Sequence, residues 1–416
     1  MTERASNRSP RGRRWYHLAF AVGPGLVVML ADTEAGSVIS AAQSGAQWGY
    51  QLLLVQVALI PALFMAQELA SRLGLATRQG LAQLALHRLG RLPTVILLIT
   101  LTVSCVGALV TQLSGLAGVG QLYGVPVWES SAVAAAGLLI IVLTGSYRSV
   151  ERVAIAIGLC ELAFIALAWQ ARPDAAEIAR QILQIPLGDH GYLYLLAASI
   201  GTCVIPWAIF YQQSASIDKG LTRVHLSVAR IETLTGAVLC QIITISVLIV
   251  AASAVRHDTA TGHGFDRISE IAGTLTVAIG PTTGRTVFAL GLSGGALVAA
   301  IVVCLTAAWA FGEVLDLRHS LSESPAQAPW FYGAFAGVLI AGGALVASGV
   351  NLVRLAIAVG VLNALLLPIV LGFLYRLARR DLPDDLRLRG IYAVAVAIVF
   401  TLVACSGVYS TALSLL

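Results

Sequence analysis

Two acidic residues stand in the middle of the first apolar stretch of the chain, GPGLVVMLADTEAGSVISAAQ. Asp32 and Glu34 are followed by Gly36 and Ser37, and glycine tolerates backbone conformations that a helix does not contain. An ionised carboxylate in the centre of a bilayer costs at least about 2.5–3.5 kcal/mol, so it faces protein or water and usually marks a pathway. The cluster predicts an unwound joint that presents oxygen atoms to a cation. The alternative is a continuous helix whose acids face a structural partner.

The sixth apolar stretch is interrupted in a similar way. It reads LAASIGTCVIPWAIFYQQSA, with Gly201, Thr202 and Pro206 near its centre and Gln212 and Gln213 after the proline. A proline alone more often produces only a kink. Two interrupted segments five helices apart, however, are typical of secondary transporters built from inverted repeats, with the binding site between the two breaks. Carbonyl and carboxylate oxygens freed there would suit a hard cation.

The composition of the whole chain requires a membrane. Of its 416 residues, 58% are hydrophobic and 11% are charged, and the mean hydropathy is +0.85. Soluble domains are roughly 45–50% apolar and about 25% charged. A water-soluble protein, a disordered chain and a nucleic-acid binder are therefore excluded despite the net charge of +5. The expected surroundings are a lipid bilayer.

Eleven apolar runs are candidates for helices that span the bilayer. They cover residues 18–41, 50–70, 94–119, 131–146, 151–170, 192–214, 231–254, 284–312, 330–349, 352–375 and 390–413. With the N-terminus inside, 20 of the 26 Lys and Arg residues fall in inner segments and 6 in outer ones, as the positive-inside rule requires. We expect a multi-pass protein of the cell (inner or plasma) membrane, with the N-terminus in the cytoplasm and the C-terminus outside.

Several short motifs resemble those of one transporter family. The first segment contains GP at 23–24, EAGS at 34–37 and GAQWGY at 45–50. Further matching motifs are QELASRLGLATRQGLA (67–82), GSYRSVERVAIAI (145–157), GTCVIP (201–206), GLSGGAL (291–297) and LLLPIVLG (365–372). In letters and spacing these motifs resemble the Nramp family of divalent-metal transporters, which have the LeuT-type fold.

The resemblance implies an all-α polytopic membrane protein with the LeuT-type inverted repeat and eleven transmembrane helices, of which helices 1 and 6 are broken. Residues 1–416 would form a single transmembrane transporter domain. Its parts would be a cytoplasmic arm, a first five-helix repeat, a second five-helix repeat and an extra helix, at residues 1–17, 18–170, 192–375 and 390–413.

The resemblance also implies a metal site between the two breaks. Carried over residue by residue, the family ligands fall on Glu34, Ser37, the carbonyl of Ala31, Ile205 and the carbonyl of Thr202. Isoleucine stands at the methionine position, and a donor set without a thioether favours Mg²⁺, Ca²⁺ or Mn²⁺ over softer metals.

Other side chains could complete this site. Asp32 would add a second hard oxygen donor, and Gln212 or Gln213 would hold the water shell of the ion. Four residues are secondary candidates: a soft sulfur, a deep acid without a charged neighbour in sequence, the position aligned with a family glutamine ligand, and an asparagine near that position. These are Cys203, Glu161, Gly360 and Asn363. A cysteine in such a segment is more often a small apolar filler.

The proton relay of the family has no counterpart at the matching positions. The acid positions of the third segment hold Gln112 and Gly115, and the histidine positions of the sixth hold Trp207 and one of the two glutamines that follow it. None of these side chains exchanges a proton at physiological pH. The loss of the methionine and of the relay resembles the divergent Nramp-related magnesium transporters, which implies transport that is not proton-coupled.

Two other acids have a simpler interpretation. Glu68 and Glu232 lie near Arg72 and Arg230 in the sequence. We expect them to snorkel toward the membrane surface or to form ion pairs with these arginines.

The expected function is alternating-access transport of a divalent cation, with Mg²⁺ ahead of Mn²⁺. Two alternatives remain, a LeuT-fold carrier of a small organic solute and a non-transporting metal sensor. The two acids at the joint would repel an anionic solute, which makes the first alternative less favourable. An enzyme is not expected, because the sequence contains no Ser/His/Asp grouping, nucleotide loop or HExxH motif. The metal ion would be the substrate, and we expect no cofactor and no obligate protein partner.

Overall fold

The computed structural model describes residues 23–144, 147–255, 264–276, 280–315 and 325–414, and these residues form helices and no β-strand. In chain order the helices are α1 (Pro24–Asp32), α2 (Ala35–Trp48), α3 (Leu53–Thr77), α4 (Leu81–Leu89), α5 (Arg91–Leu122), α6 (Val127–Thr144), α7 (Tyr147–Gly158), α8 (Ala163–Ala171), α9 (Ala175–Gln181), α10 (His190–Cys203), α11 (Pro206–Asp218), α12 (Leu226–Val255), α13 (Ile268–Thr276), α14 (Pro281–Leu315), α15 (Pro329–Ala347), α16 (Leu352–Arg380) and α17 (Gly390–Ser414). The predicted cytoplasmic arm at 1–17 lies outside the described residues.

Most of the predicted apolar runs are long enough to cross a bilayer. Eight helical stretches in the described part of the chain pass on length and hydropathy, and the pair α1–α2 makes a ninth. Within α6 and α15 the apolar helices are shorter, at Val127–Ile141 and Tyr332–Ala347. The total of eleven spans therefore stays a prediction, as does the division into two repeats and an extra helix.

The first span is broken where the acids stand. α1 and α2 meet at a bend of 43°, and only Thr33 and Glu34 separate them. α1 begins with Pro24 at its first position, where the missing N–H of proline costs nothing. The carboxylate of Glu232 accepts hydrogen bonds from the backbone N–H groups of Gly23 at 2.5 Å and Leu26 at 2.9 Å. Glu232 thus acts as an N-terminal cap of the first span, which the sequence did not predict.

The sixth span is interrupted between α10 and α11. Val204 and Ile205 have extended backbone conformations and Pro206 starts the next helix. The two halves nevertheless continue as one 29-residue apolar stretch, and 89% of its apolar window is buried. This stretch is therefore an inner helix of the bundle, as expected for a segment that contributes to a site.

A third discontinuity divides the fifth span. The helix α7 passes into α8 through a 3₁₀ turn, Leu159–Leu162, which contains Glu161. The sequence of this turn, LCEL, contains no glycine or proline, although Gly158 stands directly before it. Stretches of 3₁₀ helix within a longer helix often mark functional hinges or strain.

Glycines on α14 let three other elements approach it closely. A Cβ at Gly291 would lie 2.7 Å from the Phe164 ring, and one at Gly294 would lie 2.7 Å from the Ile157 carbonyl oxygen. A Cβ at Gly295 would overlap the Thr33 carbonyl oxygen. The GLSGGAL motif thus brings the first break and the fifth span against one face of α14.

Candidate functional site

The two acids of the α1–α2 break are buried together. Asp32 is 0% exposed and Glu34 is 1% exposed, and their carboxylates interact electrostatically. Both carboxylate oxygens of Asp32, and Oε1 of Glu34, lack a hydrogen-bond partner among the described residues. Buried charges in proteins are normally paired or coordinate a metal. Three oxygen atoms at one joint are therefore available to a cation.

The side-chain amide of Gln112 on α5 makes two hydrogen bonds to the break between α1 and α2. Gln112 Nε2 donates a hydrogen bond to Glu34 Oε2, and Gln112 Oε1 accepts one from the Ala35 N–H at 3.1 Å. In a continuous helix the Ala35 N–H would bond to the Ala31 carbonyl four residues earlier. Gln112 takes this donor, so the carbonyl predicted to be a ligand loses its helical partner.

Ser37 stabilises the start of α2. Its hydroxyl donates a hydrogen bond to the Glu34 carbonyl at 2.9 Å, and its side chain is buried. The Ser37 Oγ keeps its lone pairs, because a hydroxyl can donate and accept at once.

At the second break the Thr202 carbonyl lacks its usual helical hydrogen-bond donor because of the covalent structure of proline. The usual donor to the Thr202 carbonyl would be the N–H of residue 206, which is a proline and has none. Ile205 is fully buried at this break. The predicted ligand positions therefore lie at the two breaks of the helices.

Cys203 is engaged elsewhere. Its sulfur accepts a hydrogen bond from Gln241 on α12, and it is close enough to Asp32 for an electrostatic interaction. The thiol thus lies near the acids but already has a polar partner.

The two glutamines of α11 are not equivalent. Gln213 donates a hydrogen bond to the carbonyl of Gln79 at 2.8 Å, just after the C-terminal end of α3. The side chains of Gln212 and Gln213 are both buried, and the Oε1 atom of each has no partner in the part of the chain that the structure describes. The two glutamines thus differ in their amide nitrogens, since Gln213 uses its Nε2 to bind the Gln79 carbonyl.

The two candidates on α16 support helix packing. Gly201 and Gly360 lie at a close crossing of α10 and α16, since a Cβ at Gly201 would overlap the Gly360 carbonyl. Asn363 Oδ1 accepts a hydrogen bond from Ser104 at 2.8 Å, and its Nδ2 has no partner among the described residues. Gly360 has no side chain that could take the place of a glutamine ligand.

The predicted ion pair of Glu68 is confirmed, and both arginines take part in it. Glu68 Oε1 lies 2.7 Å from both Arg72 Nη2 and Arg230 Nε. Tyr392 on α17 adds a hydrogen bond to Glu68 Oε2 at 3.4 Å. This cluster ties α3, α12 and α17 together.

No group of three or more His, Cys, Asp or Glu side chains in the described residues could hold a metal ion. A cation at the breaks would therefore depend on two carboxylates supplemented by carbonyl, hydroxyl and amide oxygens. Such a donor set suits a hard ion that keeps part of its water shell.

Residues 25–413 match the family described as natural resistance-associated macrophage protein-like, Nramp. The chain belongs to the Nramp family. The metal transporter Nramp1 of Populus trichocarpa is 27% identical over 219 residues, which are 51% of this chain and 40% of that protein. The divalent metal cation transporter MntH of Chromohalobacter salexigens is 30% identical over 319 residues, 73% of this chain and 72% of that one. The match thus covers less than half the length of the first of these relatives.

The fold has a solved counterpart. A manganese transporter of Eremococcus coleocola superposes with a TM-score of 0.75 at 16% identity, covering 99% of this chain and 90% of that one. This similarity confirms the predicted all-α, LeuT-type fold.

Proposed function

We propose that this protein carries a divalent metal cation across the cell membrane by alternating access, with Mg²⁺ ahead of Mn²⁺. The observation that carries the proposal is the buried pair Asp32 and Glu34, of which three oxygens lack partners within the described residues. Two ionised carboxylates in an apolar interior are costly unless a cation neutralises them. A divalent ion would match their combined charge.

The preference for a hard ion follows from the donors around this pair. The carbonyls of Ala31 and Thr202 and the hydroxyl of Ser37 would supply oxygen ligands, and Ile205 offers no sulfur at the family's methionine position. Oxygen-only sites favour Mg²⁺, Ca²⁺ and Mn²⁺. Because Mg²⁺ gives up water reluctantly, Gln212 is proposed to bind the ion through its water shell.

We further propose that transport is not proton-coupled. The family's acid positions on α5 hold Gln112, which bridges Glu34 and the Ala35 N–H, and Gly115. A Cβ at Gly115 would lie 2.5 Å from the Ala35 Cβ, so this packing has no room for an acidic side chain. A relay of the family type could not be restored there without separating α5 from α2.

Reconstituted vesicles test ion and coupling together. Purified protein in proteoliposomes that contain an internal pH dye is offered Mg²⁺ or Mn²⁺, and entry of each ion is measured. We expect Mg²⁺ entry without acidification of the lumen. Mn²⁺ entry alone, accompanied by acidification, would contradict both the ion preference and the absence of coupling. Ion binding without flux would instead favour a metal sensor.

A further inference from the structure

Three exposed arginines form a basic cluster in the last turns of α16. Arg376, Arg379 and Arg380 are three and four residues apart, so their side chains are neighbours on the helix surface. Arg379 donates a hydrogen bond to the Tyr375 hydroxyl at 3.2 Å, and its guanidinium group lies over the tyrosine ring. Tyrosines are enriched at the headgroup level of membranes. Their presence here indicates that the basic cluster lies at the depth of the lipid headgroups.

The neighbouring acids do not neutralise the basic cluster. The segment that follows it, 381–389, contains three aspartates. Asp381 lies 3.4 Å from Arg88 on α4, and Asp384 pairs with two arginines of its own segment. The third aspartate, Asp385, is exposed and would balance at most one of the three positive charges. The surface at this end of α16 is therefore positive.

Exposed apolar residues continue from the basic cluster along the helices. Gly372 and Leu365 stand 4 and 11 residues before Arg376, which places all three on one face of α16. Leu365 is exposed, and an added Cβ at Gly372 would meet no atom within 4 Å. On α17, Ile391 is 88% exposed and Val394 is exposed as well.

The start of α17 lies beside the last turns of α16. The Leu388 N–H donates a hydrogen bond to the Ala378 carbonyl at 3.1 Å. Further along, an added Cβ at Gly407 on α17 would lie 3.2 Å from the Ala364 carbonyl oxygen of α16, so the two helices stay in contact. The basic cluster is thus flanked by exposed apolar residues on its own helix and at the start of the next one.

We propose that the basic cluster binds the phosphate group of an anionic glycerophospholipid, whose acyl chains lie along the exposed apolar residues of α16 and α17. The guanidinium group matches phosphate oxygens through two parallel hydrogen bonds. The positive-inside rule predicts that this end of α16 faces the cytoplasm, where the membrane surface is negatively charged. The adjoining apolar residues favour a lipid over a soluble phosphate, because acyl chains add contacts that a soluble ligand lacks. The site is independent of the proposed transport of a divalent metal.

Lipid binding is measured on the purified full-length protein in detergent. Dioleoyl phosphatidylglycerol is titrated in parallel with dioleoyl phosphatidylcholine, which has the same acyl chains and no net charge. Bound lipid is counted by native mass spectrometry, and thermal unfolding is followed on the same samples. We expect phosphatidylglycerol alone to bind saturably and to raise the unfolding midpoint, since a ligand of the folded state stabilises it by mass action. The double variant Arg376→Gln/Arg380→Gln should weaken this binding by at least about tenfold.

A matched double variant separates this site from a general attraction between arginines and anionic lipid. Arg267→Gln/Arg285→Gln also removes two exposed arginines. They lie toward the opposite end of the bundle, where Asp266 pairs with Arg354 in the first turn of α16. This variant should bind phosphatidylglycerol like the wild type. An equal loss of binding in both double variants would refute a specific site at the basic cluster.

Three further results would overturn the proposal. The first is a wild-type protein that binds both lipids equally, a result that does not depend on the folding of any variant. The second is a folded Arg376→Gln/Arg380→Gln protein with wild-type affinity for phosphatidylglycerol. The third is stabilisation by glycerophosphate or inorganic phosphate as large as that by phosphatidylglycerol, which would identify a soluble phosphate as the ligand.

Discussion

The substitution Glu34→Gln removes one negative charge from the first break and leaves the size of the side chain almost unchanged. Glutamine has nearly the size of glutamate, and its side-chain oxygen can still accept the hydrogen bond that Gln112 donates to Glu34. The backbone bond from Ala35 to Gln112 is untouched. Removal of a buried charge also removes a desolvation penalty of several kcal/mol. The ion-free variant should therefore be at least as stable as the wild type.

Metal binding should change in the opposite direction. In the described structure Asp32 contributes two unpartnered oxygens and Glu34 one, so the substitution removes one of the two charges available to the ion. We expect divalent-metal affinity to fall by at least about 100-fold, equivalent to about 2.7 kcal/mol. The hydrogen bond from Gln112 also becomes weaker when its acceptor loses the negative charge, by about 1 kcal/mol. This change would lower the free energy of unfolding and would not lower the affinity for the metal.

The assay combines flux with stability. Mg²⁺ and Mn²⁺ entry into proteoliposomes is measured for the wild type, for Glu34→Gln and for the exposed-acid control Asp385→Asn. Thermal unfolding without divalent metal is measured on the same preparations. Wild-type flux through folded Glu34→Gln would refute the assignment of Glu34 as a ligand. A large loss of stability with affinity retained would show that the charge serves the fold.

Three other substitutions test separate parts of the reasoning. Ile205→Met restores a thioether at the second break and should raise Mn²⁺ entry relative to Mg²⁺ entry, measured by competition in vesicles. Glu232→Gln weakens the cap of α1 and should cost about 0.5–2 kcal/mol, seen as a lower unfolding midpoint. Gln112→Glu places a carboxylate directly against Glu34. Because the repulsion between the two groups grows as the new acid ionises, the unfolding midpoint of this variant should fall with rising pH more steeply than that of the wild type. A pH-independent difference would contradict the last prediction.

The two main breaks could be predicted because their causes are local. Glycine and acidic residues at 32–37, and Pro206 in the sixth stretch, are signals contained in a few consecutive letters. The same holds for the Glu68–Arg72 pair, which is one helical turn apart.

The remaining features depend on partners that are distant in sequence. Gln112 reaches Glu34 across 78 positions, and Glu232 reaches Gly23 across 209, so no window of sequence reveals either contact. The 3₁₀ turn at Glu161 contains no glycine or proline, and the single Gly158 before it is too weak a signal to predict it.

The bridge at position 112 relates the proposed absence of proton coupling to the geometry of the break. Gln112 donates to Glu34 and accepts from the Ala35 N–H through one side chain. A carboxylic acid could make both contacts only while protonated, because an ionised carboxylate accepts hydrogen bonds and cannot donate them. An acid here would therefore couple the opening of the break to the gain and loss of a proton. An amide keeps the donor permanently, so Gln112 supports the break in the same way at any physiological pH. This is what the proposed transport without a proton gradient requires.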